Sequence, residues 1–174
     1  MAARNDVPMP TGAADDPRRT VAALMAASRA FVGITARSLA AVDVEVTLPQ
    51  FRALVVLATR GPQRPADISA ELKVTPSTGT RMCERLVRKG LARRTRTPTD
   101  RRVVRLALTP AGRSLVDEVT GRRRDELVAI VAATAEHWPP AVTAALHAFA
   151  EAAGEAAEQD WWLGFADNDD DSAI

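Results

Sequence analysis

The sequence predicts a mainly α-helical protein that carries one small β-hairpin. Three observations lead there. Aromatic residues are sparse at 4% while Ala, Val, Leu and Arg dominate, a mixture that favours helix over sheet. A cap residue followed by proline, the signature of a helix start, recurs at Asp16-Pro17, Thr75-Pro76 and Thr109-Pro110. Only between Leu91 and Leu108 does the apolar period change to alternation, around the turn chemistry of Thr97-Pro98-Thr99-Asp100.

The elements follow in order. Residues 1–15 hold Pro, Gly, Asn and Asp without periodicity and read as a loose arm. A long first helix then runs to about Val44, with Val21, Leu24, Ser28, Phe31, Thr35, Leu39 and Val42 at helical spacing. It is Ala-rich and only moderately hydrophobic, which suits an interface as well as a core. Thr47-Leu48-Pro49-Gln50 is a capping box. Its helix carries Phe51, Leu54, Val55 and Ala58 and stops at Gly61-Pro62. Pro65 opens a short helix, Ala66 to Leu72, with Ile68 and Leu72 inward, and Lys73-Val74 is a tight connection. From Thr75-Pro76 a helix runs to Lys89 and ends at Gly90. Leu91–Arg96 and Val103–Leu108 form the hairpin. Another long helix follows Thr109-Pro110, with Leu115, Val119, Leu127, Ile130 and Val131. Trp138-Pro139-Pro140 breaks it. A last amphipathic helix with Val142, Leu146 and Phe149 fades near Trp161-Trp162 into an acidic tail.

Composition narrows the class. At 47% hydrophobic residues, the 174-residue chain has enough apolar material for a folded core. The single cysteine, Cys83, excludes an internal disulfide framework and fits a reducing cytosol. The N-terminus lacks signal-peptide character, and the longest apolar stretches, such as Leu127 to Ala135, reach about half a membrane span. A cytoplasmic protein without a membrane partner is expected. The net charge of +1 hides a strong asymmetry. Ten basic residues against Glu84 and Asp100 lie between Arg81 and Arg105, whereas eight acids and no Lys or Arg lie between Glu151 and Ile174. This pairs a polyanion-binding segment with an acidic tail.

The order helix, short helix, tight turn, helix, basic hairpin is that of a winged helix-turn-helix. In the helix from Pro76, Gly79, Met82, Cys83 and Leu86 share one face and should pack on the preceding helices. The other face offers Ser77, Thr78, Arg81, Arg85 and Arg88, with Thr80 at its edge. Short hydroxyls and Arg near a helix N-terminus can approach base edges in a major groove. Base contacts are expected from Ser77, Thr78, Thr80 and Arg81. A ribbon tipped by Asp100-Arg101-Arg102 can lay guanidinium groups into the adjacent minor groove. Asp100 is expected to fix that tip by pairing with Arg102 or with Arg94. A merely solvated basic surface is the alternative.

Leu48-Pro-Gln-Phe-Arg-Ala-Leu54, Ala66-Asp-Ile-Ser-Ala-Glu-Leu72 and Thr75-Pro-Ser-Thr-Gly-Thr-Arg81 resemble the multiple-antibiotic-resistance (MarR) regulators of bacteria. So do Arg85-Leu-Val-Arg-Lys-Gly-Leu91, Asp100-Arg-Arg102 and Leu108-Thr-Pro-Ala-Gly112. The resemblance covers roughly residues 20 to 155. It implies a homodimer formed by helical regions 16–46 and 113–160, and a winged-helix DNA-binding domain over 47–112, with 161–174 as a tail. It further implies binding of double-stranded DNA at a pseudo-palindromic operator, repression more than activation, and release by a small lipophilic or phenolic effector. The effector would lie among the C-terminal part of the first helix, the helix from Leu48 and the start of the helix from Pro110. Two features depart from the pattern: Gly79 replaces the usual branched apolar residue, and the chain continues past Trp161.

Other signals are weaker. Cys83 is better explained as a small buried hydrophobe than as a redox sensor. His137 and His147 have no metal-ligand spacing with any Cys, Asp or Glu, so neither metal nor cofactor is expected. No phosphate loop, nucleotide fingerprint or nucleophile elbow suggests an enzyme. Two rivals remain: a winged-helix module that docks an acidic protein, and a ligand-independent DNA organiser of low specificity.

Overall fold

The computed structural model describes residues 16–97 and 100–155, with backbone alone at 97 and at 100–102. The expected arm 1–15, the side chains of Asp100, Arg101 and Arg102, and the tail with Trp161-Trp162 therefore lie outside the described residues. The elements are α1 (Pro17–Ala40), α2 (Leu48–Arg60), α3 (Pro65–Glu71), α4 (Pro76–Arg88), β1 (Ala92–Thr97), β2 (Asp100–Leu108), α5 (Pro110–Ala133) and α6 (Pro140–Ala152). A single 3₁₀ turn at Ala135–His137 joins α5 to α6. The fold is mainly α with one antiparallel hairpin, as the sequence led us to expect.

Local chemistry sets the boundaries. At α2, Gln50 N donates to Thr47 Oγ1 at 3.5 Å and Thr47 N to Gln50 Oε1 at 3.2 Å, the reciprocal capping box. At α3, the Arg64 guanidinium grips Asp67 through Nε (2.9 Å) and Nη2 (3.0 Å) and holds its carboxyl below the ordinary carboxylate range. Three helices end in the same paired-carbonyl cap. Val74 N donates to Ser69 O after α3, Leu91 N to Leu86 O after α4, and Glu155 N to Ala150 O after α6. The residue preceding each donor has positive φ: Lys73 at 53°, Gly90 at 70° and Gly154 at 80°.

Two boundaries differ from the sequence expectation. α1 stops at Ala40, short of Val44, because the β-branched Val42 and Val44 flank Asp43 in a stretch of poor helix propensity. α6 stops at Ala152, well before Trp161, because Gly154 takes the left-handed conformation that closes the cap.

The core lies in the helix-turn-helix lobe. Phe51, Leu54 and Leu57 of α2 meet Ile68 of α3, Leu86 of α4, Leu91 and Leu106 at the hairpin base, and Leu115, Val116 and Val119 of α5. Leu54, Leu57, Ile68, Leu86, Val116 and Val119 are fully enclosed. Each such side chain contributes about 1.5–3 kcal/mol relative to exposure.

The chain divides into two units, at Gly33 and Ile34. In the first, Val21, Met25, Phe31 and Val32 of α1 are exposed. In the second, Ile34, Thr35 and Ser38 are the buried residues of α1, Arg37 pairs with Glu126 of α5, and the surface shows Val128, Ile130, Val131, Leu146 and Phe149. Among the described residues of the second unit, the expected α1 stripe is buried at Thr35, with Leu39 and Val42 packed partly on the core. A stripe read from spacing assumes a partner along the whole helix, whereas in the second unit the buried positions of α1 are Ile34, Thr35 and Ser38.

Candidate nucleic-acid interface

α4 is held at very close range to α3. Thr75 caps it, its Oγ1 accepting from Thr78 N at 3.4 Å, and Pro76 occupies the first turn. Gly79 then faces Ser69. A Cβ on Gly79 would lie 1.9 Å from Ser69 Oγ and 2.9 Å from Ser69 Cβ. The Ser69 hydroxyl is itself committed, donating to Pro65 O at 2.7 Å. Glycine therefore sets the spacing of the two helices, which is the reason for its departure from a branched residue. Gly79→Ala is expected to cost about 1–3 kcal/mol by overpacking, against the ~1 kcal/mol that alanine gains in helix propensity. Ser69→Gly should restore most of the loss in thermal denaturation; failure of that rescue would place the strain elsewhere.

With its inner face fixed, α4 presents the outer one. Gly79, Met82, Cys83 and Leu86 are buried. Ser77, Thr78, Thr80, Arg81, Arg85 and Arg88 are all exposed. The hydroxyls at the N-terminus form a cluster: Thr75 Oγ1 lies 2.9 Å from Thr78 Oγ1 and 3.2 Å from Ser77 Oγ, while Thr80 Oγ1 donates to Pro76 O at 2.8 Å. Arg37, Arg52, Arg60, Arg64 and Arg122 each meet a carboxylate. Among the described residues Arg81, Arg85 and Arg88 meet none, and neither do Arg93, Arg94 and Arg96 of β1.

The hairpin is pinned beside α4. β1 and β2 pair from Ala92↔Leu108 to Arg96↔Val104, with an irregularity before Thr97↔Asp100. Its base is tied to the α2–α3 connection by a two-way bridge, Gln63 N to Leu106 O at 3.0 Å and Leu106 N to Gln63 O at 2.7 Å. Arg105 adds a bond from Nη1 to Pro62 O at 3.2 Å. Thr109 Oγ1 donates to Gly90 O at 2.5 Å and accepts from Gly112 N at 3.0 Å, joining the ends of α4 and β2 to the start of α5. The structure thus brings Arg94 onto the same lobe as the α4 residues. The wing-tip side chains Asp100, Arg101 and Arg102 lie outside the described residues. Sequence reasoning passed over Arg93 and Arg96 as site residues, although the +8 segment contained both. It also missed the Gln63 bridge, because a single-residue strand has no periodicity.

Cys83 is buried, and burial pushes its thiol up from the ordinary range, outweighing the smaller opposing effect of Arg94. Iodoacetamide at pH 7.5 is therefore expected to label native Cys83 at least tenfold more slowly than the unfolded chain; equal rates would contradict this burial. Between the end of α1 and the start of α2 lies an open cleft of about 460 Å³, lined by Ala36, Leu39, Ala40, Val42, Asp43, Glu45, Val46 and Leu48. Two of the three places expected for an effector contribute to it; the start of α5 does not line it. Among the described residues no group of three or more His, Cys, Asp or Glu could hold a metal ion, and no helix is long and apolar enough to cross a membrane.

The sequence model of the MarR family matches residues 46–104, from the α2 cap into the second strand of the hairpin. The crystal structure of Rv1404 from Mycobacterium tuberculosis superposes with a TM-score of 0.72 at 42% identity, covering 84% of this chain and 99% of that one. The chain belongs to the MarR family. Members of this family are transcription regulators and not enzymes. Two curated regulators of Bacillus subtilis match over shorter stretches. The uncharacterised regulator YsmB is 34% identical over 82 residues, 47% of this chain and 56% of its own length. The repressor MdtR is 37% identical over 79 residues, 45% of this chain and 51% of its own. The MarR-family chain thus spans about half the length of these relatives. FabT of Streptococcus pneumoniae, solved in complex with DNA, superposes with a TM-score of 0.60 at 26% identity, covering 76% and 90% of the two chains.

Proposed function

We propose that this chain is a cytoplasmic, homodimeric repressor that binds a pseudo-palindromic operator through α4 and the hairpin. The observation that carries the reading is the block of exposed arginines on α4 and β1 that meet no carboxylate among the described residues, continuous with the exposed hydroxyls of Ser77, Thr78 and Thr80. Ser77, Thr78, Thr80 and Arg81, near the helix N-terminus, contact base edges. Arg85, Arg88 and Arg94 bind phosphates, and Arg101 and Arg102 enter the flanking minor groove with Asp100 ordering the tip. FabT, solved with DNA, and MdtR, named a repressor, support this direction.

Two copies place their α4 helices about 34 Å apart, one helical turn of DNA. The exposed apolar residues of α5 and α6, and separately those of the α1 start, supply surface that a second copy covers. The cleft at the α1–α2 junction suits a small lipophilic effector. Asp43 and Glu45 on its lining favour a neutral or cationic ligand over an anion.

Titration against duplexes from the gene's own upstream region tests the reading. Tight binding that survives excess unrelated duplex is expected. Binding indifferent to sequence would favour the low-specificity organiser, and none at all would favour protein docking.

A further inference from the structure

We propose that the acidic segment following Glu155 docks, when DNA is absent, on the cationic face of α4 and β1 of its own chain, so that DNA must displace it. Three observations converge. The first is vacancy: Arg81, Arg85, Arg88, Arg93, Arg94 and Arg96 are exposed and meet no carboxylate among the described residues, with Glu84 the acid on that stretch. Arg37, Arg60, Arg64 and Arg122 are already paired and offer less.

The second is charge. Residues 156–174 contain Glu158, Asp160, Asp167, Asp169, Asp170 and Asp171 and no Lys or Arg. This segment is opposite in sign to those six arginines and equal to them in number. The third is the point of departure. Glu155 Oε1 lies 3.5 Å from Arg52 Nη2, and Arg52 is on α2, which packs directly against α4. The acidic segment thus leaves the fold on the lobe that carries the cations. Nineteen residues span at most about 60 Å, and a lobe of this size is roughly 25 Å across, so the reach is ample. Tethering keeps the local concentration of carboxylates near the millimolar range, enough to compete with weak non-specific phosphate contacts while yielding to an operator.

The consequence for DNA rests on the repressor reading, whereas the docking itself is testable without DNA. The experiment compares amide NMR spectra of the full chain with those of the full chain carrying Asp167→Asn, Asp169→Asn, Asp170→Asn and Asp171→Asn, at low and high salt. Duplex affinities of both proteins are measured alongside. The amides of α4 and β1 should differ between the two at low salt and converge at high salt. At low salt the variant should bind unrelated duplex about fivefold more tightly. Superimposable α4 and β1 amides at low salt would overturn the proposal. So would an affinity gain without an amide change, which would reflect diffuse repulsion only. If the amides differ but neither protein binds any duplex, the docking stands and the repressor reading falls.

Discussion

Gly112→Ala is expected to lower the stability of the fold by about 3 kcal/mol, the upper end of ordinary overpacking. A Cβ at this position would lie 1.9 Å from the carbonyl oxygen of Leu91 and 2.9 Å from its carbon. These are backbone atoms, and they cannot swing aside. The same Leu91 carbonyl accepts from Thr109 N at 3.2 Å, so moving it would break the junction of α4, hairpin and α5. For a chain of this length the loss corresponds to a fall in Tm of roughly 10 °C. Gly121, in the same helix, is the internal control: nothing lies within 4 Å of the Cβ it would gain. Gly121→Ala should raise stability by about 1 kcal/mol through helix propensity alone. Thermal denaturation of the two variants checks the pair, and equal Tm values would mean that α5 does not start as described.

Arg81→Ala should act in the opposite compartment of the molecule's chemistry, leaving stability unchanged while reducing operator affinity by roughly ten- to hundredfold. Arg81 is exposed on α4 and meets no carboxylate among the described residues, so its removal leaves no buried charge behind. The loss should be larger for operator than for unrelated duplex, because a base contact carries discrimination and a phosphate contact does not. Arg88→Ala, further along the helix, should weaken both duplexes alike. Anisotropy titrations of both variants against both duplexes measure this. A loss shared equally between duplexes in Arg81→Ala would demote that residue to a phosphate contact.

The lobe was legible in the sequence because its signals are local. Thr47 with Gln50, Thr75 with Pro76 and Thr109 with Pro110 each declare a helix start through side-chain chemistry that acts within four residues. The 3.6-residue period assigned Met82, Cys83 and Leu86 to one face of α4 and Arg81, Arg85 and Arg88 to the other, as the structure has them. Contacts made across long sequence separations left no such trace. The Gln63–Leu106 bridge, the Arg105 bond to Pro62 and the approach of Gly112 to Leu91 all depend on where the hairpin lands. The α1 stripe was over-read for a related reason. Apolar spacing reports that a face will be covered, without saying whether its own chain covers it. Ile130 of α5 and Phe149 of α6 are exposed among the described residues.

The most direct test of DNA recognition by α4 and the hairpin is the salt dependence of operator binding by the full chain. Each phosphate neutralised by Lys or Arg releases counterions, so log K falls linearly with log salt by about 0.9 per contact. With the cationic face engaged by both copies, a slope of about −6 or steeper is expected. A slope near zero would mean that these arginines do not meet phosphate, and would contradict the account.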